Sequence, residues 1–225
     1  MGEVSENVDA NETKQPEAED YKEIKAENES EQDPDASREY LDGLFNGETE
    51  DDEEIKNPHQ EKLDGKTYYY DDNGKLYRVE NELAPNSEYE INGYKYKTDD
   101  QGRIISAEGT LHLKDREGRL PIKDSIDDIG KGDQKEGDDR GHLIGDQFDG
   151  SNGLENMVPQ DADINRNDFK NFENELAKEV KDGKEVNVKV EPIYDGDSHR
   201  PDAIVVTYSI DGEESVRVFP NGREE

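Results

Sequence analysis

Between residues 66 and 110 apolar and polar positions alternate with a period of two, and turn dipeptides cut the run into short pieces. Such alternation belongs to strands with one buried face, and Asn-Gly pairs between them close hairpins. "KTYYYDDNGKLYRVE" therefore predicts a hairpin about Asn73-Gly74, and "EYEINGYKYKTDDQGRIISAEGTL" predicts short strands about Asn92-Gly93 and Gln101-Gly102. Residues 123–138, rich in Asp, Gly and Lys, read as a loop. The period then changes: in "NMVPQDADINRNDFKNFENELAKEVKDG", Phe169, Phe172, Leu176 and Val180 fall at helical spacing. Asp163 or Asn165 can cap the start of that helix and Gly183 can end it. Alternation returns in "EVNVKVEPIY", "AIVVTYSI" and "ESVRVFP", around turns at Asp197 and Asp211-Gly212, which predicts a closing antiparallel meander. Strands, helix, strands in that order imply an α+β fold.

The first 60 residues break this pattern. Glu, Asp, Asn, Ser and Gln dominate them, and residues 1–60 hold 21 acids against 5 bases, a net −16. This composition predicts a disordered acidic arm, 1–60, ahead of a folded domain over 61–225. Within the arm "ASREYLDGLF" sets Tyr40, Leu41, Leu44 and Phe45 on one side of a helical turn, either transient or docking; His59 is given no role.

The chain has 225 residues, 28% hydrophobic and 40% charged, so one modest core is the most it can bury. With no cysteine it has neither a disulfide framework nor a thiolate metal site or nucleophile. The amino terminus lacks the basic region and apolar run of a signal peptide, and no stretch approaches the ~20 apolar residues that span a bilayer. Export is therefore expected to depend on a longer parent chain or a partner, with no membrane contact. A formal charge of −33 argues against nucleic-acid binding, since phosphate binding depends on Lys and Arg displacing counterions. Tyrosines on the predicted strands could stack bases, but tyrosine on a half-buried strand more often covers a core.

Candidate chemistry concentrates in "DDRGHLIGDQF", residues 138–148, and the predicted helix after it. Phosphodiester hydrolysis needs a base to deprotonate water, a cation to neutralise charge building on phosphorus, and often an arginine on the phosphate. His142 in a loop, Arg140 beside it, and oxygen donors from Asn165 and from Glu173 two turns further on could supply these. Magnesium suits such a set because it keeps most of its waters. Each residue has a plainer reading: a charged turn, a helix cap, a solvated helix position. His112 and His199 match no motif and read as packing residues.

"DRGH" followed by "NMVPQDADINRNDFKNFE" resembles the DNA/RNA non-specific endonuclease family, whose core is the ββα-metal, or His-Me finger, unit. The resemblance implies that His142 is the general base, Asn165 the direct magnesium ligand, and Glu173 the carboxylate that holds metal-bound waters. It further implies that Arg140 contacts phosphate and that Asn156 supports the site. Mn2+ could replace Mg2+. Where some relatives carry another arginine a turn past the glutamate, this chain has Ala177, which puts the leaving-group side in doubt. Arg166 and Lys170 could then face the phosphate locally while acids stay out of contact. "GDQFDGSNGLENMVPQDADINR" and "KVEPIYDGDSHRPDAIVVTYSIDG" resemble the nuclease tips of bacterial polymorphic toxins, including type VII secreted ones. That implies DNA or RNA as substrate, delivery as part of a toxin, and an immunity protein that holds it in the cytoplasm of the producer. The opposing reading is a catalytically silent acidic interaction protein, a DNA mimic. The arm either competes with substrate for the site or is only a linker.

Overall fold

The computed structural model of the chain describes residues 43–45 and 58–222. Most of the expected acidic arm lies outside the described residues, as do Tyr40 and Leu41; residues 43–45 are helical. Strand β1 (His59–Leu63) begins two residues before the expected domain boundary, so His59 belongs to the sheet, where its ring stacks on Tyr70 at 4.4 Å.

Among the described residues twelve strands form three antiparallel sheets. β1, β2 (Lys66–Tyr70), β3 (Leu76–Val79) and β4 (Glu82–Leu83) make a small sheet in chain order. β5 (Glu88–Ile91), β6 (Tyr94–Thr98), β7 (Ile104–Thr110), β10 (Val186–Ile193), β11 (Ala203–Ile210) and β12 (Glu213–Pro220) make the main sheet, ordered β12-β11-β10-β7-β6-β5. β8 (Asp138–His142) and β9 (Met157–Asp161) pair only with each other. The predicted turns appear with different chemistry. Asn92-Gly93 and Asp211-Gly212 have φ > 0 at both positions, the two-residue hairpin geometry. At Asn73-Gly74 and Gln101-Gly102 only glycine is left-handed, and the register slips by a residue in the adjoining strands. Asp64-Gly65, not foreseen, closes the β1–β2 hairpin.

The core reading of the tyrosines is the one realised. Tyr77, Tyr89, Tyr94 and Tyr96 are buried, Tyr77 and Tyr96 each stacking on Tyr89 at 4.8 and 5.4 Å. His112 stacks on Tyr94 at 5.3 Å, and His199 sits in a loop with its N–H on Asp133. The supposed loop over 123–138 contains helix α1 (Ile126–Gly130), started by a Ser125/Asp128 capping box.

After β9 the chain makes a widened π turn over Ile164–Phe169 and runs into α2 (Lys170–Lys181). Neither Asp163 nor Asn165 caps it: the Asp161 carboxylate accepts the N–H groups of Asp163 and Ile164. Gly183 does end it, at φ +82. The apolar stripe docks on the main sheet: Phe169 meets Phe219 at 4.9 Å and Phe172 meets Tyr208 at 5.1 Å. Burying each such aromatic contributes about 1.5–3 kcal/mol, enough to fix which helix face looks away from the sheet. β8, β9 and α2 thus form a ββα unit in an α+β chain.

Candidate active site

β8 and β9 pair in register, His142 opposite Met157 and Gly141 opposite Val158. A Cβ on Gly141 would lie 2.2 Å from Gln160 Oε1, so glycine is what lets the hairpin close over that buried amide. His142 is not in a loop. It ends β8, buried at 7% exposure, with Nε2 3.0 Å from Asn152 Oδ1. An amide oxygen facing Nε2 makes that nitrogen the protonated one and leaves Nδ1 as the base. Burial pushes the imidazole pKa below its usual value, aided by the charges of Arg119 and Arg140 and opposed by Asn152 and Asp146. The ring is neutral at pH 7.

The turn after His142 is braced by Asn156. Its amide, 0% exposed, accepts from Ile144 N at 2.9 Å and donates to Ile144 O and Ser151 O, both at 2.8 Å. The group is saturated within the protein. At Gly145, a Cβ would lie 2.2 Å from Glu173 Oε1, so this glycine admits the carboxylate of α2 to the turn. Burial raises the Glu173 pKa to about 7, against the opposing pull of the Arg119 charge, the Gly145 N–H and the Gln147 side chain.

Beside this pair opens a cleft of about 510 Å³ lined by Arg119, Leu120, Ile122, Asp139, Arg140, Asn165 and Arg166, among others. Arg140 Nη1 donates to the carbonyls of Asp124 (3.0 Å) and Ile122 (3.4 Å). Asn165 Nδ2 donates to Asp139 at 2.9 Å, and Arg166 grips the same carboxylate through Nε and Nη2 at 2.8 and 2.6 Å. Burial would raise the Asp139 pKa, but the bonds from Arg166 and Asn165 prevail and lower it.

Of the expected residues, the structure therefore gathers Arg140, Asn165 and Arg166 on the cleft, while His142 and Glu173 do not line it and Glu173 reaches the turn after His142 at Gly145. Arg166 is already spent on Asp139. Lys170 is exposed on the helix, and Ala177 is packed in the core, so α2 offers no cation there. Sequence reasoning missed Asn152, Asp139, Gln147 and Arg119; the first three act through contacts that no linear spacing reveals.

Among the described residues no cluster of three His, Cys, Asp or Glu side chains could hold a metal. The donors at the cleft are hard oxygens: Asn165 Oδ1, left over once Nδ2 is tied to Asp139, and the Asp139 carboxylate. That set fits a hydrated ion of the magnesium type, which needs only one or two protein oxygens, and not a soft or tetrahedral one.

The chain matches the family of DNA/RNA non-specific endonucleases over residues 85–212. It is 38% identical, over 148 residues, to the type VII secretion system protein EssD of Staphylococcus aureus strains USA300 and NCTC 8325, covering 62% of this chain. The chain spans about a quarter of the length of those relatives, 24%. Among solved structures, NucA from Streptococcus agalactiae with magnesium ion bound aligns at 21% identity and TM-score 0.44, over 84% of this chain and 92% of that one. Sda1 nuclease with bound zinc ion aligns at 23% identity and TM-score 0.41, over 57% and 76%.

Proposed function

The chain belongs to the DNA/RNA non-specific endonuclease family, and we propose that it is a Mg2+-dependent endonuclease hydrolysing phosphodiester bonds of DNA and also of RNA. The observation that carries this reading is the buried His142, with Nε2 3.0 Å from Asn152 Oδ1, at the end of a ββα hairpin beside a cleft bearing Arg140 and Asn165.

In this reading His142 Nδ1 removes a proton from the attacking water. The imidazolium so formed keeps its Nε2–H on Asn152, with the Asp146 charge nearby to offset burial. Arg140, aligned by two backbone carbonyls, donates to a non-bridging phosphate oxygen. Asn165 Oδ1 would hold the cation, and Glu173 would accept hydrogen bonds from its waters. A bound Mg2+ would supply positive charge at the phosphate and the leaving oxygen. Asn156 positions the turn and does not touch substrate. Arg166 acts through Asp139, orienting the Asn165 amide.

The setting this implies is the toxin portion of a longer protein exported as EssD is named to be, countered by an immunity protein; the 38% identity to that relative supports it. The folded nuclease domain then starts at β1, with the acidic arm before it.

Purified protein incubated with supercoiled plasmid and with RNA tests the core of the proposal. Cleavage should require Mg2+, stop with EDTA, and fall about 10²–10⁴-fold in His142→Ala, the usual cost of losing a general base. Cleavage unchanged by that substitution would sink the assignment. A wild-type chain that cuts neither substrate would favour the acidic interaction protein.

A further inference from the structure

This chain is acidic, with 61 Asp and Glu against 28 Lys and Arg, and it spends most of its described arginines internally. Arg78, Arg103, Arg116, Arg166, Arg200 and Arg217 are each ion-paired to a carboxylate. Among the described residues Arg119 and Arg140 have no such partner, and both line the same cleft. In a molecule this negative, two unneutralised guanidinium groups on one concave surface mark where a polyanion can approach.

Arg119 rides on the segment between β7 and α1, and around Arg119 that segment is tied to the turn after His142. The Asp146 carboxylate, only 10% exposed, accepts from Lys114 Nζ, from Arg116 Nη2 at 2.6 Å and from Leu120 N at 3.3 Å. Lys114 N also donates to Gln147 O at 3.1 Å. The anchor consumes the cations before Arg119 and the backbone N–H after it, and leaves the Arg119 guanidinium exposed toward the cleft. Asp146 lies four residues after His142, so the same turn that carries the proposed base also fixes the strap.

We propose that Arg119 is a second phosphate-contacting residue of this cleft, and that Asp146 is the positioning residue that holds it there. The assignment rests on the nuclease reading for its catalytic meaning. It adds a second unpaired guanidinium to the cleft that Arg140 already lines. An arginine whose backbone is tied down gives up less freedom on meeting a phosphate than one on a loose loop. Arg119 is exposed, so its removal leaves the fold intact, whereas Asp146→Asn keeps the size of the anchor and withdraws its charge.

The test uses the full chain and the variants Arg119→Ala, Arg119→Lys, Asp146→Asn and Arg119→Ala/Asp146→Asn, with plasmid cleavage resolved into kcat and KM. Arg119→Ala should lower kcat/KM on the order of 10²-fold, with lysine restoring only part, since it lacks the forked donor geometry. Asp146→Asn should lose much of the same factor. In DNA binding measured in EDTA, where no proton transfer by His142 enters, the double variant should bind no more than about threefold more weakly than Arg119→Ala, because both changes disable one device. A purely structural Asp146 would instead add its loss in full, and that result would overturn its role. In a second arm, binding of a fluorescent DNA duplex is followed against salt in EDTA. Arg119→Ala should flatten the slope of log K against log salt by about 0.9, one phosphate contact. An unchanged slope with cleavage within threefold of wild type would overturn the proposal. Absent cleavage by wild type with a flattened slope would overturn the nuclease reading and leave the phosphate contact standing.

Discussion

Replacing Glu173 by glutamine should stabilise the metal-free protein, and only above a certain pH. The carboxyl sits against Gly145 and its pKa is raised from 4.5 to about 7 because burial disfavours the charged form. The unfolded chain therefore gives up this proton near 4.5 while the folded one keeps it until about 7. Between those values the native state binds more protons than the unfolded state, so stability falls as pH rises through the window and is flat on either side. At 1.36 kcal/mol per unit the loss is about 3 kcal/mol above pH 8, an upper figure since the side chain keeps some contact with solvent. Glutamine fills the same space and can accept the Gly145 N–H without a charge to desolvate. Urea unfolding in EDTA, followed by circular dichroism, should give equal stabilities near pH 4 and a glutamine variant stronger by up to about 3 kcal/mol at pH 8. In thermal melts that is roughly 6–12 °C for a chain of this size. Stability curves that run parallel from pH 4 to 8 would refute the reasoning. The gain should come with lost cleavage, as expected where a site holds a group that the fold alone would discard.

Three further substitutions probe other residues of the candidate site and its supports. Asn152→Ala removes an interaction that raises the His142 pKa; neutral base is present above that pKa and lost below it, so the acidic limb of kcat should move to lower pH while the plateau drops, and an unmoved limb in a pH-rate series would count against Asn152. Asn165→Ala should raise the Mg2+ concentration for half-maximal cleavage by tenfold or more, in the range seen when support for a metal site is lost, and identical titration curves would leave Asn165 as a helix residue held by Asp139. Arg78→Met strips the partner from the buried carboxylates of Asp124 and Glu155, which should cost about 3–5 kcal/mol in urea unfolding, and a loss below 1 kcal/mol would show that the network is dispensable.

Strand alternation, turn dipeptides and the apolar stripe of α2 were legible because each is a local pattern with one physical meaning. What escaped was set by distant contacts. The β1–β2 hairpin was missed because "HQEKL" has almost no buried face: its burial runs from partly buried His59 to four exposed residues. "DDRGH" reads as a charged turn, yet it is a strand, since its hydrogen bonds go to β9 fifteen or more residues later. The start of α2 looked like a capped regular helix, but a π turn over Ile164–Phe169 rotates Asn165 out of the phase that a 3.6-residue period assigns, toward Asp139. The candidate residues of the site were named by resemblance to a motif. Their partners carry no motif: Asn152 and Asp146 are ordinary loop residues until folding brings them to His142 and to the strap.

The geometry of Arg140 shows how far such dependence reaches. Its guanidinium is aimed by the carbonyls of Ile122 and Asp124. Asp124 is itself fixed by its carboxylate, which accepts Leu154 N at 2.7 Å and Arg78 Nη1 at 2.9 Å. Arg78 belongs to β3, in the small sheet, before residue 85 where the family match begins. Asn81 and Glu82 of the same sheet bind Asp128 and Lys131 around α1, a second tie between the two parts. Arg78 is 4% exposed and its charge is matched by Asp124 and Glu155, so the link is rigid and desolvated. Glu155 in turn accepts from Ser151, whose carbonyl holds the Asn156 amide behind His142. One buried arginine outside the matched segment is therefore connected both to Arg140, the proposed phosphate contact, and to the turn that carries His142, the proposed base. The small sheet is part of the site's scaffold, and the folded unit that positions this chemistry is larger than the segment by which the family is recognised.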